Sequence, residues 1–257
     1  MPLPKTGLSR GGAQAYHLSG DRTPPHVLDV MSVSLLSHEV LDKARAMGIT
    51  VTEYLAAIML TVAIEMQRME QPHKYRPVRI SLPVNVRKYF ITPTLRNFSY
   101  YVDPEISAEE AATDISFEEV ARKIQAFMTH ALSPAYLFAG INTNIAPQKL
   151  PLVQFAPLTI KNLVIRGVFK ATGDRLVTTT LTNLGPVSAP KELMAHVAHF
   201  DFMLGPSSPN PICNSALITT GDTMSLVFSS TLNNDLFQQN VIRVLKKESI
   251  TIAVGRH

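Results

Sequence analysis

The sequence predicts a mixed α/β domain, with helices layered on a largely antiparallel or mixed sheet. Three observations lead there. Thr50-Val-Thr-Glu53 and Ser116-Phe-Glu-Glu119 are capping boxes, and each opens an apolar helical run. Val78, Ile80, Leu82 and Val84 alternate with Arg79, Ser81 and Pro83, which is the period of a strand. Gly221-Asp222 parts two strand-like runs as a two-residue hairpin turn does.

Taken in order, residues 1–30 hold glycines, prolines and few periodic apolar positions, and are expected as a linker or arm. Residues 31–257 are expected as a single α/β domain. A first helix is expected from Ser37 to about Met47, with Leu36 and Leu41 as a hydrophobic staple and Gly48 as the left-handed residue that ends it. The second helix starts at the Thr50 box, stapled by Ile49 and Tyr54. It is apolar almost all round from Leu55 to Met66, so it belongs at the centre of the core. The alternating run at 78–84 is a strand, and 98–102 is a second. The helix after Ser116 places Val120, Ile124, Phe127 and Met128 on one face, and Ala131 continues it.

Beyond residue 160 the sequence reads as strands. Residues 160–169 and 175–182 flank Ala171-Thr-Gly-Asp174, an expected hairpin. Residues 214–219 and 223–229 flank Gly221-Asp222. A last helix from near Asn234 ends in Lys246 and Lys247, cations that suit a helix C-terminus, and 250–254 closes the chain as a strand.

The composition excludes several classes. Hydrophobic residues make up 46% and charged residues 17%, which is a folded globular chain rather than a disordered one. The net charge of +4 is dispersed, without a run of five like charges, so nucleic acid is not an expected partner. Cys213 is the lone cysteine, so no intrachain disulfide forms and a reducing cytoplasm is expected. Met1 to Arg10 lack the apolar core of a signal peptide. The longest apolar stretch, 54–64, lies between Glu53 and Glu65 and falls short of the ~20 residues of a membrane span. The sequence carries no G-x-S-x-G, P-loop, G-x-G-x-x-G or H-E-x-x-H motif.

The polar residues at strand ends are the site candidates. Asn85 and Arg87 end the first alternating run; the arginine there either grips a carboxylate or anionic ligand, or is a solvated strand-end cation. Asn97, before an aromatic strand, either fixes a turn or bonds a ligand. Asn183-Leu-Gly185 ends another strand, where Gly185 permits positive φ or close backbone approach, or simply starts a loop. His196-Val-Ala-His199-Phe-Asp201 is the one histidine cluster. A metal site needs three converging ligands, and on a strand His196 and His199 would face opposite sides.

Five stretches carry a resemblance in sequence order: Thr50-Val-Thr-Glu-Tyr-Leu-Ala56, Pro83-Val-Asn-Val-Arg87, Arg96-Asn-Phe98, Thr182-Asn-Leu-Gly185 and Ser249-Ile-Thr-Ile252. Together they resemble the C-terminal half of acyltransferases with the chloramphenicol-acetyltransferase fold. The likeness runs from Ala15-Tyr16 to Val254 and is nearest to bacterial alcohol-acetyltransferase-like proteins, with peptide-synthetase condensation domains and plant BAHD acyltransferases further off. The resemblance implies two facing α/β halves about a tunnel. The half that precedes this one carries H-H-x-x-x-D, whose second histidine takes a proton from an alcohol or amine acceptor as it attacks an acyl thioester. No two histidines are adjacent in this sequence, so that base is absent and no catalytic residue is assigned. The resemblance matches Arg87 to the arginine that pairs with the aspartate of that motif. It matches Asp201-Phe-Met-Leu-Gly205 to a D-F-G-W-G segment of structural role, so Asp201 is expected to serve the fold.

Three functional expectations follow. The first is the C-terminal domain of an acyl-CoA-dependent O-acyltransferase, with acetyl-CoA or another acyl-CoA as co-substrate, no covalently bound cofactor, and an N-terminal acyltransferase half as partner. The second is a non-catalytic module that self-associates or binds a partner through the face its other half would cover. The third is a metal enzyme built on His196, His199 and Asp201.

Overall fold

A computed structural model describes residues 12–90, 93–94, 98–146, 155–172, 174–205 and 212–256. The chain enters through an extended segment in which Ala15, Tyr16 and Leu18 are buried. It then forms β1 (Asp29–Leu36), α1 (Ser37–Ala46), α2 (Val51–Glu70), β2 (Val78–Asn85), β3 (Ser99–Val102) and β4 (Glu105–Ile106). Helices α3 (Ala108–Ala111), α4 (Phe117–Ala131), α5 (Pro134–Ile145) and α6 (Leu158–Thr172) follow. The rest is β5 (Thr179–Pro186), α7 (Lys191–Met194), β6 (Cys213–Thr220), β7 (Thr223–Ser230), α8 (Leu236–Lys247) and β8 (Ile252–Arg256).

The strands make one eight-stranded sheet in the order β3-β2-β5-β6-β7-β1-β8, with β4 also paired to β2. The steps β2–β5 and β5–β6 are parallel, and β6–β7, β7–β1, β1–β8, β2–β3 and β2–β4 are antiparallel. The sheet is therefore mixed, as expected.

Alternation gives this sheet two unlike faces. Met31, Val33 and Leu35, Ile80 and Leu82, Leu181, Leu217, and Leu226 and Phe228 point into one hydrophobic core with the helices. The centre of that core is α2, buried on almost every side and packed against α1, α4, α8, β2 and β5. Its start is the expected capping box. The Thr50 hydroxyl accepts from the Glu53 amide at 3.3 Å, and the Glu53 carboxylate accepts from the Thr50 amide at 2.7 Å. Its other end is tied by Gln67, which is fully buried and exchanges two hydrogen bonds with the Arg76 backbone at 3.0 and 2.8 Å. Both ends of a buried amide are thereby satisfied, which removes its desolvation penalty. Glu70 in the last turn accepts from the Tyr16 hydroxyl at 2.8 Å and fixes the entering segment to the core. Burial, and then the Glu70 carboxylate, push the Tyr16 phenol far above its ordinary range.

The Ser116 box and the Gly221-Asp222 hairpin form as expected, with Thr220 opposite Thr223. Gly48 takes φ of 69° just beyond α1. The region after residue 155 departs from expectation. Residues 160–169 are not a strand: they lie within α6, and a short 3-10 turn at Asp174–Leu176 leads into β5. No hairpin joins them. The β-branched residues there favour a strand by composition, yet Ile160, Leu163, Val164 and Gly167 recur at helical spacing. β5 takes its neighbours β2 and β6 in parallel, which a tight hairpin cannot supply. Helices α3 and α5 were not anticipated, although both carry start signals: a capping box at Ser107, and Ser133 followed by Pro134 at the first helical position. No single helix among the described residues is long and apolar enough to cross a membrane.

Replacing Thr50 with Ala should lower the unfolding free energy by about 1 kcal/mol in urea titrations, because the cap starts the central helix. Cys213 is fully buried in β6, and burial pushes its thiol well above the usual cysteine range. It should resist a thiol-specific disulfide reagent at pH 8 in the native protein and react only after denaturation.

Candidate functional site

The sequence candidates separate into two places. Asn85, Arg87, Asn183 and Gly185 lie at or just beyond the carboxyl ends of the neighbouring parallel strands β2 and β5. The register Ile80 to Thr179 and Ser81 to Thr180 brings those carboxyl ends level. In open α/β sheets, ligands bind beyond the carboxyl ends of parallel strands.

At the end of β2, the Asn85 side-chain oxygen accepts from the Arg87 amide at 3.0 Å and turns the chain into a 3-10 turn at Arg87–Tyr89. Val86 beneath it is buried and donates its amide to Phe98 at 3.2 Å. The Tyr89 hydroxyl donates to the Leu132 carbonyl at 2.8 Å, which pins the turn to the end of α4. Arg87 is exposed on this anchored turn. Asn97 lies outside the described residues.

At the end of β5, Asn183 bonds at both ends of its amide. It donates to the Thr52 hydroxyl in the first turn of α2 at 3.0 Å and accepts from the Gly185 amide at 2.8 Å. Gly185 has φ of 74°, and a Cβ built there would meet nothing within 4 Å. Positive φ, not close approach, is what requires glycine at this position. The register of β5 against β6 shifts between Asn183 and Pro186, so the turned chain leaves the ladder at this point.

Asp201 is elsewhere, on the sheet face turned away from the helices. That face is mixed: Ser32, Ser81, Thr182, Asn214, Thr220, Ser225 and Ser229 lie on it with Ala216, Ile218 and Val227, and all are buried. Residues 200–204 run across it. The Phe200 amide donates to the Thr220 hydroxyl at 3.2 Å, the Ser32 hydroxyl to the Asp201 carboxylate at 3.1 Å, and the Ser229 hydroxyl to the Leu204 carbonyl at 2.6 Å. One short segment thus bridges β6, β1 and β7. His199 lies 3.5 Å from the Asp201 carboxylate, and His196 and His199 are both exposed on irregular chain rather than on a strand. Among the described residues no three His, Cys, Asp or Glu side chains converge as a metal site would require.

Sequence reasoning missed this hydroxyl-rich face, although Thr223, Ser225 and Ser229 recur at even spacing along β7. It also missed the bond from the Ser81 hydroxyl to the Asp103 carboxylate at 2.6 Å. Asn214, between β5 and β7, keeps a buried side-chain oxygen without a hydrogen-bond partner. The two places differ in kind: an exposed cation and a glycine turn at the strand ends, and a buried, hydrogen-bonded sheet face at Asp201. Among the described residues, no side chain at these two places is arranged as a base against a nucleophile.

No family model and no curated protein matches the chain by sequence. Solved structures do match. The chain is similar to TRI3 trichothecene 15-O-acetyltransferase from Fusarium sporotrichioides at 11% identity and a TM-score of 0.63, covering 94% of this chain and 50% of that one. It is similar to the structure of the X-domain with OxyB from teicoplanin biosynthesis at 14% identity and a TM-score of 0.54, over 94% of this chain and 50% of that one. It is also similar to the condensation domain of chain release from the enacyloxin polyketide synthase, at 13% identity and a TM-score of 0.50, over 91% of this chain and 43% of that one. The chain spans half or less of the length of these structures. It has a condensation-domain and acyltransferase-like fold, of which it forms one half, as the resemblance to the C-terminal half implied.

Replacing Asn183 with Ala should destabilise the protein by about 1–2 kcal/mol, since two hydrogen bonds are lost and the Thr52 hydroxyl is stranded. A double-mutant cycle with Thr52→Val should return a coupling of about 0.5–1 kcal/mol. Arg87→Ala should change stability by less than about 0.5 kcal/mol, as expected of an exposed side chain.

Proposed function

We propose that the chain is the C-terminal domain of a CoA-dependent O-acyltransferase, supplying one wall of the substrate channel and leaving the general base to a second half. The observation that carries this reading is the match of almost the whole chain to half of an O-acetyltransferase. The sequence supports it, because no two histidines are adjacent and H-H-x-x-x-D is therefore absent.

In this reading the second half removes the proton of an alcohol hydroxyl as its oxygen attacks the carbonyl carbon of an acyl-CoA. The new C–O bond forms, the C–S bond breaks, and the proton passes to the departing CoA thiolate. The task of this chain is positioning. The turn fixed by Asn85 holds Arg87 at the channel edge, and the Asn183–Gly185 turn shapes the wall beside it. Arg87 pairs with the aspartate of the motif on the other half, or with an anionic part of the substrate. The lone buried Cys213 suits a reducing compartment such as the cytoplasm.

A second reading, a non-catalytic module that self-associates or binds a partner, is favoured by the exposed apolar side chains of α6. Kinetics separate the two. The isolated chain should transfer acetyl groups from acetyl-CoA to a simple alcohol some 10²–10⁴-fold more slowly than a complex with an H-H-x-x-x-D-bearing half, in line with the usual contribution of a general base. Release of free CoA, followed with a thiol reagent, measures both rates. Equal rates with and without that half would refute the acyltransferase reading.

A further inference from the structure

Among the described side chains, helix α6 exposes four apolar ones that would be expected to hold it to the molecule. Leu158 is 71% exposed, Ile160 53%, Leu163 73% and Val164 58%, and Phe155 just before the helix is 86% exposed. These residues do not share one stripe. At 100° per residue, Leu158 and Ile160 stand about 200° apart, with Leu163 and Val164 on the same side as Ile160. A helix apolar on opposite sides is one that becomes enclosed, whereas a helix lying on a surface shows one apolar side only.

Charge narrows the occupant further. No aspartate or glutamate occurs from Val120 through Gly173, a stretch that contains Arg122, Lys123, Lys149, Lys161, Arg166 and Lys170. A second copy pairing through this helix would set cations against cations. An anionic lipid surface would answer the cations, but it would cover one side of the helix and leave the other in water. A protein cleft encloses both sides.

We infer that α6 is the element on which the complementary acyltransferase half closes, and that this half receives it in an apolar cleft rimmed by carboxylates. The inference rests on the reading under Proposed function, in that the occupant is the missing half of a fold of which this chain makes 43–50% in the three structures described above.

The test uses the full chain and an acyltransferase half that bears H-H-x-x-x-D, with affinity measured by calorimetry and transfer by CoA release. Leu163→Asp with Val164→Asp should weaken the complex at least tenfold and lower restored transfer in parallel, as loss of a central apolar anchor does. The urea midpoint of the chain should stay unchanged, because both side chains are exposed. Lys161→Glu with Arg166→Glu should weaken binding several-fold at low salt, with the difference shrinking at high salt. Binding and transfer that survive the Asp variants would overturn the docking surface and leave the acyltransferase reading standing. Absence of any complex would remove both. A homodimer of the chain alone in sedimentation, dispersed by the Asp variants, would assign the surface to a second copy instead. Flotation with vesicles of phosphatidylcholine and phosphatidylglycerol, lost in those variants, would assign it to a membrane; either result overturns the proposal.

Discussion

The burial of α2 on nearly all sides is the constraint from which the rest of the molecule follows. A helix without a polar face must be surrounded, and here the sheet, α1, α4 and α8 surround it. Its ends then fix two distant regions. At the N-terminal end, Thr52 receives Asn183 and holds the β5 edge of the candidate site. At the C-terminal end, Gln67 holds the lead into β2 and Glu70 holds the entering segment at Tyr16. The site edge is therefore anchored to the core, while Arg87 at its rim remains open to solvent.

What could be read from the sequence was what is local. A capping box needs only four residues, so the starts of α2 and α4 were legible, and so was the turn at Gly221-Asp222. The alternation of β2 was equally plain. Pairing across long separations was not. Asn183 finds Thr52 131 residues away, and no spacing within Thr182-Asn-Leu-Gly185 announces that partner. The 160–169 segment failed for a related reason. Its β-branched composition suggested a strand, but the mixed topology gives β5 parallel neighbours and leaves the preceding segment helical. The positive φ of Gly185 could be read as a possibility, and the structure selects it over close approach. Asp201 was placed through family resemblance rather than pattern, and in the structure it accepts a hydrogen bond from Ser32.

Two helices of similar composition meet opposite fates. α2 is apolar all round and enclosed. α6 is apolar on opposite sides and exposed. The sheet shows a related asymmetry, with a mainly apolar face under the helices and a face richer in hydroxyls crossed by residues 200–204. A fold that encloses one helix this thoroughly and leaves another exposed is suited to being half of a larger unit.

Native-state hydrogen exchange reads this contrast most directly. In the chain alone, amides of α2 should exchange only through global unfolding, while those of α6 exchange orders of magnitude faster through local opening, and addition of the complementary half should slow α6 selectively. Protection of α6 equal to that of α2 in a monomeric chain would contradict the account, because the helix would then already have its partner.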